Sequence, residues 1–182
     1  MIIYFGENDP ERTAKTNWLK IKYGDSKAIS IHSLKRNSLS DNRSFTDRFL
    51  DKKETLVISG HGNDERFMDR SPLELYTSLM GAGLNHDRFG SIYLLGCDVG
   101  LQFNDRYIAT NFMKQFALKI RQGPARKLKV YAPRGEIVWM MDDVIWEHLT
   151  FPRVAEARIQ ICDEDDNVLE DYSFETGMLI FK

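Results

Sequence analysis

The sequence predicts an α/β fold: a mainly parallel sheet with helices on both faces, plus antiparallel strands added at an edge by the tail. Three observations carry this. Short apolar runs alternate with stretches of helical periodicity over about the first 137 residues. Several of those runs stop at a glycine. Beyond them the helical stretches give way to apolar runs around an acidic turn, DEDDN.

Residues 2–5 (IIYF) form a short apolar run ended by Gly6 and read as a buried strand. Asp9 then offers an N-cap and Pro10 the first helical position. Ala14, Trp18, Leu19 and Ile21 recur at near-helical spacing up to Gly24. Residues 27–34 alternate and predict a second strand, with Ala28, Ser30, His32 and Leu34 on one face. Residues 35–42 are a polar turn region, and residues 45–50 a helical turn or two. Residues 55–59 (TLVIS) are the third strand. Ser71, Pro72 and Glu74 make a capping box with proline at the first helical position. Leu73, Tyr76, Leu79 and Met80 follow at spacings of three and four until Gly81 and Gly83.

Residues 92–95 (IYLL) are the fourth strand. Residues 106–121 carry an apolar stripe of Ile108, Phe112, Met113, Phe116 and Ile120, closed by Gly123 and Pro124. Residues 128–132 are the fifth strand, ended by Pro133, Arg134 and Gly135. Residues 137–141 are strongly apolar and fit either strand or helix. Residues 158–162 and 168–174 flank DEDDN as a hairpin, and residues 178–181 are a last strand. No repeat, low-complexity segment or long linker interrupts the chain, so residues 1–182 read as one domain.

Composition excludes several function classes. Hydrophobic residues make up 42% and charged residues 29%, ordinary for a globular protein. The net charge of −2, with acids and bases intermixed, argues against a general nucleic-acid binder, which carries a basic excess. No apolar run approaches the roughly 20 residues a membrane helix needs. The N-terminal MIIYFGENDP has no basic region ahead of its apolar stretch, so the expected location is cytosolic, or reached by a secretion route without a Sec signal. The two cysteines, Cys97 and Cys162, make no disulfide framework, and no Cys/His cluster has zinc spacing. His32, His86 and His148 have no metal partner nearby in sequence and read as structural or surface residues, and Cys162 as a small buried apolar one.

Two strand ends stand out. TLVIS is followed by Gly60 and His61, and IYLL by Gly96 and Cys97. Parallel strands open their C-terminal ends on one edge, where catalytic groups collect. If these strands are neighbours, about 4.8 Å apart, the imidazole and the thiol face one substrate. A thiol attacks as the thiolate, and an adjacent imidazole takes its proton and later protonates the leaving amine. The N–H groups of Gly62 and Cys97 are candidate oxyanion donors, while Gly60 and Gly96 allow sharp strand-to-loop turns. Asp64 or Glu65 is a candidate to orient His61, and Asp98 a candidate to face a basic substrate side chain; the alternative for each is an ordinary solvated loop acid.

At these residues the sequence resembles the caspase-like (clan CD) cysteine peptidases, whose pattern is an apolar strand ending in His-Gly and a later one ending just before the catalytic Cys. Within that group it is most similar to the self-processing protease domain of large bacterial toxins of the RTX and clostridial glucosylating type. The matching stretches are SGHG at 59–62, SPLEL at 71–75 and IYLLGC at 92–97. ENDP at 7–10 and PRGEI at 133–137 match more loosely, and the likeness covers about residues 1–137.

The resemblance implies a three-layer caspase-like sandwich and an endopeptidase with a His61/Cys97 dyad acting on protein or peptide substrates through a thioester. It implies no metal. It also implies that Arg134, Gly135 and Glu136 line the pocket for the residue before the scissile bond. Arg134 there suits an acidic side chain, Glu136 a basic one, and an apolar wall from Ile137 to Trp139 a leucine-like one. The toxin domains are switched on by inositol hexakisphosphate, held on a basic surface and a β-flap after the fifth strand. This chain departs there, because residues 137–146 are apolar and acidic, and only Arg126, Lys127, Lys129 and Arg134 offer a basic patch. Two other readings of the same residues are a caspase-like domain that has lost activity and binds a partner, and a Rossmann-like ligand-binding module.

Overall fold

The computed structural model describes residues 1–4, 9–24, 27–39, 53–63, 65–97, 112–163 and 165–181. In chain order the strands are β1 (Ile2–Tyr4), β2 (Ala28–Ser30), β3 (Glu54–Ser59), β4 (Phe89–Leu95), β5 (Lys129–Pro133), β6 (Glu136–Trp146), β7 (Leu149–Cys162), β8 (Val168–Ser173) and β9 (Met178–Phe181). The helices are α1 (Pro10–Tyr23), α2 (Pro72–Gly81) and α3 (Phe112–Gln122).

The fold is mixed α/β. One sheet has the order β2-β1-β3-β4-β5-β9. Its first five strands are parallel, and β9 closes the edge antiparallel to β5, with Val130 opposite Phe181. Alternation along the strands sends side chains to two cores. Ile3, Leu56, Ile58, Ile92, Leu94 and Val130 face α2 and α3, which bury Leu75, Leu79, Phe112, Phe116 and Ile120 against them. Ile2 and Val57 face the other way, onto Leu19 and Trp18 of α1. Helices therefore lie on both faces.

The helix ends follow their sequence signals. Asp9 accepts a hydrogen bond from the N–H of Arg12 at 2.7 Å, and Gly24 ends α1 in the left-handed region at φ 63°. Ser71 and Glu74 cap α2 reciprocally. Hydrogen bonds from the Ser71 N–H and hydroxyl hold the Glu74 carboxyl below its usual pKa. The buried stripe of α3 is Phe112, Met113, Phe116, Ala117 and Ile120; the predicted residues 106–111, with Ile108, lie outside the described residues, as does the helical turn expected at 45–50.

Two elements depart from expectation. The second strand is cut to Ala28–Ser30, because the Ser30 hydroxyl accepts from the His32 N–H and starts a 3-10 turn that buries Ile31. The tail does not simply extend the first sheet. Only β9 does so; β6, β7 and β8 build a separate antiparallel sheet. That sheet covers the α1 face, where Ile137 and Ala157 are buried with Leu19 and Phe174. Residues 137–141, open between helix and strand, are part of β6. Cys162, expected to be buried, is half-buried near the end of the second sheet.

The β6–β7 hairpin turns at Glu147 and His148, both in the left-handed region at φ 47° and 68°, between the paired Trp146 and Leu149. A two-residue turn of this type favours Asn-Gly, and glutamate gains nothing from φ above zero. The double substitution Glu147→Asn, His148→Gly is expected to stabilise the protein by about 1 kcal/mol. Urea unfolding checks this, and a loss of stability would contradict the turn assignment. The far end of the hairpin exposes Ile145, Leu149 and Phe151. Among the described residues no helix is long and apolar enough to cross a membrane.

Candidate active site

β3 and β4 are neighbours, and their register sets the site. Leu56 pairs with Ile92, Ile58 with Leu94, and Ser59 with Leu95. Continued past the last pair, the count puts Gly60 level with Gly96 and His61 level with Cys97. The Gly60 N–H still donates to the Leu95 carbonyl at 3.1 Å, so the two chains remain side by side at the point of exit.

Beyond β3 the chain folds into a miniature hairpin. The Asn63 N–H donates to the Arg66 carbonyl and the Met68 N–H to the His61 carbonyl, both at 2.8 Å. These bonds flank the Gly62–Phe67 pair, so the Gly62 N–H takes no part in the ladder. Phe67 and Arg70 exchange two 3.0 Å bonds across Met68 and Asp69, at φ 53° and 58°. A methionine with positive φ is strained, and burial of its side chain in the main core offsets the strain. The Asn63 side chain accepts from the N–H groups of Glu65 and Arg66 and fixes the tip.

Phe67 is fully buried and lies on Gly96. A Cβ at Gly96 would stand 2.7 Å from Phe67 Cδ2, closer still to Cε2, and 3.0 Å from the Gly60 carbonyl oxygen. The sequence suggests that Gly96 serves a sharp turn. Its φ is not in the left-handed region; the glycine is needed for close approach of the ring.

A cavity of about 380 Å³ opens at these strand ends. Gly60, His61, Gly96 and Cys97 form one side, Ile137 and Trp139 of β6 another, and Tyr4, Asp9 and Arg12 a third. His61 is exposed, and Cys97 is half-buried and outside any disulfide. Trp139 is braced edge-on by Trp18 at 5.6 Å between ring centroids, and Lys22 sits 4.9 Å over the Trp18 ring. The apolar wall is thus fixed by α1.

The structure brings together His61, Cys97 and, on the apolar wall, Ile137 and Trp139; Gly62 follows His61 in the loop hairpin but is not part of the cavity lining. Arg134, Gly135 and Glu136 lie off the cavity lining. The Arg134 guanidinium stacks 4.6 Å over the Tyr172 ring and donates to its hydroxyl at 3.2 Å. Gly135 is buried against the Gln160 backbone, where a Cβ would come within 2.9 Å of the carbonyl carbon. Glu136 is exposed. Asp98 and Asp64 lie outside the described residues; Glu65 is exposed. The four basic residues do not converge: Arg126, Lys127 and Lys129 are at the start of β5 and Arg134 follows its end.

The α1 contribution to the cavity was not anticipated. The signal for it was present, because the first strand, if parallel to the other two, must end on the same edge, and the helix after it starts there. No family model matches the chain, and no curated protein matches it either.

Proposed function

We propose that the protein is a caspase-like cysteine endopeptidase with His61 and Cys97 as its catalytic dyad. One observation carries the reading: adjacent parallel strands in register deliver an imidazole and a cysteine thiol to one cavity at the carboxyl edge of the sheet. Cys97 Sγ, its proton taken by His61, attacks the peptide carbonyl carbon. The carbonyl oxygen becomes an oxyanion, held by the N–H groups of Gly62 and Cys97. As the C–N bond breaks, His61 returns the proton to the leaving amine, and a thioester remains. Water, deprotonated by His61, then hydrolyses the thioester and frees the thiol. The Gly62 N–H suits its role because the loop hairpin does not use it.

This reading includes no inositol hexakisphosphate switch, since the residues present do not fit a polyanion. β6 carries Asp142 and Asp143. On β7, Arg153 pairs with Asp142 at 3.4 Å, and Arg158 with Asp171 at 2.8 Å and Glu156 at 3.0 Å.

The test is to incubate the protein with a proteome and sequence the new N-termini, with Cys97→Ala as control. Termini present with the wild type and absent with the variant are expected. Identical sets would end the proposal.

A further inference from the structure

A second cavity, of about 430 Å³, opens on the α2 face of the main sheet at its β2 edge. It lies across that sheet from β6, β7 and β8, which cover the α1 face. The chain beyond β2 turns there, with the Ser38 N–H donating to the Lys35 carbonyl at 3.0 Å and Asn37 at φ 62°. Two bonds fasten this turn to the carboxyl end of α2. The Asn37 N–H donates to the Gly81 carbonyl at 3.3 Å, and the N–H of fully buried Leu39 to the Ala82 carbonyl at 2.6 Å. The backbone carrying Lys35 and Arg36 is therefore held beside the helix. Ile31, Leu34 and Ala82 give the cavity apolar lining, and Lys35, Arg36 and Arg70 give it charge. Among the described residues no carboxylate lines it, and none of the three cations makes an ion pair. Arg70 Nη1 is closed off from solvent with no hydrogen-bond partner. Glu74, whose charge Arg70 feels, lines the adjoining cleft with Asp69, and its Oε2 is occupied by the Ser71 N–H and hydroxyl. The last turn of α2 has no basic residue of its own, so a cation nearby complements its dipole. One charge meets that need; three line the cavity, in a chain whose net charge is −2.

We infer that this cavity binds the phosphate monoester of a small organic molecule, its phosphate held by Arg70, Arg36 and Lys35 and its carbon skeleton against Ile31, Leu34 and Ala82. A carboxylate is satisfied by one arginine fork. A phosphate monoester carries a charge of about −1.5 to −2 at neutral pH and three strong acceptor oxygens, so it calls for several cations. Arginine is the side chain best matched to it, and a small swing of the Arg70 guanidinium turns its unmet donor to the ligand. Apolar lining with a few polar anchors is the usual make-up of a small-molecule site. The inference is independent of the peptidase reading, since none of these residues lines the cavity of His61 and Cys97.

Calorimetry with phenyl phosphate at low ionic strength tests it. One saturable site is expected. Inorganic phosphate, which lacks the apolar part, and benzoate, which lacks the second charge, are each expected to bind about tenfold more weakly. Arg70→Gln is expected to weaken phenyl phosphate about tenfold, and the double variant Lys35→Gln/Arg36→Gln by about as much. Arg126→Gln, an exposed cation just ahead of β5, is expected to change nothing. Circular dichroism confirms that each variant folds. Absence of saturable binding, or an affinity that survives both Arg70→Gln and the double variant, overturns the inference. Benzoate bound as tightly as phenyl phosphate would make this a carboxylate site, and inorganic phosphate bound as tightly would show that the apolar lining takes no part; either result overturns the inference as stated. A phosphoserine peptide that binds more tightly than phenyl phosphate would assign the site to a phosphorylated protein and overturn the small-molecule ligand.

Discussion

His61→Ala is expected to lower kcat/KM for peptide hydrolysis about 1,000-fold or more while leaving the fold intact. A positioned general acid–base contributes about 100- to 10,000-fold, and removing one member of a catalytic unit forfeits most of what the unit achieves. The imidazole is exposed, so its loss opens no cavity, and stability is expected to change by less than about 0.5 kcal/mol. The anchor of this segment is the His61 carbonyl, bonded to the Met68 N–H, which alanine keeps. A second readout separates chemistry from structure. Iodoacetamide at neutral pH is expected to label Cys97 faster than Cys162, and His61→Ala to remove the difference. Both thiols are half-buried, so accessibility alone would give similar rates. Equal slow labelling of both cysteines in the wild type would sink the dyad and favour a binding module.

Much of this site was legible because it depends on local pattern. An apolar run followed by glycine and a reactive residue occurs twice, with one capped helix between, and parallel pairing then follows from the α/β alternation. Side-chain roles that depend on distant packing were not legible. Phe67 reads as an ordinary loop apolar residue until the fold lays it on Gly96. Met68 carries no turn signature, yet it takes positive φ beside the turn-tolerant Asp69, since burial of the methionine side chain outweighs its backbone preference. The same holds for Glu147 and His148, where strand pairing on both sides imposes the turn. The second sheet was read as a strand edge because hydrophobic alternation tells which face is buried but not against what. The cluster of Trp18, Trp139 and Phe174 is what shows that α1 is its partner. Arg134 was drawn to the site by resemblance; its stacking on Tyr172, a β8 residue, is a long-range contact that no local motif announces.

The close approach at Gly96 gives the sharpest structural prediction. Gly96→Ala is expected to cost about 3 kcal/mol and to lower peptide hydrolysis at least tenfold in whatever protein still folds. The new methyl would overlap the Phe67 ring on one side and press on the Gly60 carbonyl on the other. Neither neighbour yields cheaply. Phe67 is fully buried and meets Phe112 edge-on at 5.9 Å, and Gly60 is hydrogen-bonded to β4. Overpacking a filled core costs about 1–3 kcal/mol when the surroundings cannot relax. Relief by backbone movement would displace the next residue, Cys97, and a displacement of about 1 Å at a reacting atom can cost about 100-fold in rate. A double-mutant cycle isolates the contact. Phe67→Leu alone is expected to destabilise by leaving a void. Combined with Gly96→Ala, the smaller side chain makes room for the methyl, so the double variant is expected to lose less than the sum of the two single losses, by 1 kcal/mol or so. Urea unfolding of the four proteins measures this. Strict additivity would show that the ring and the glycine are not in contact.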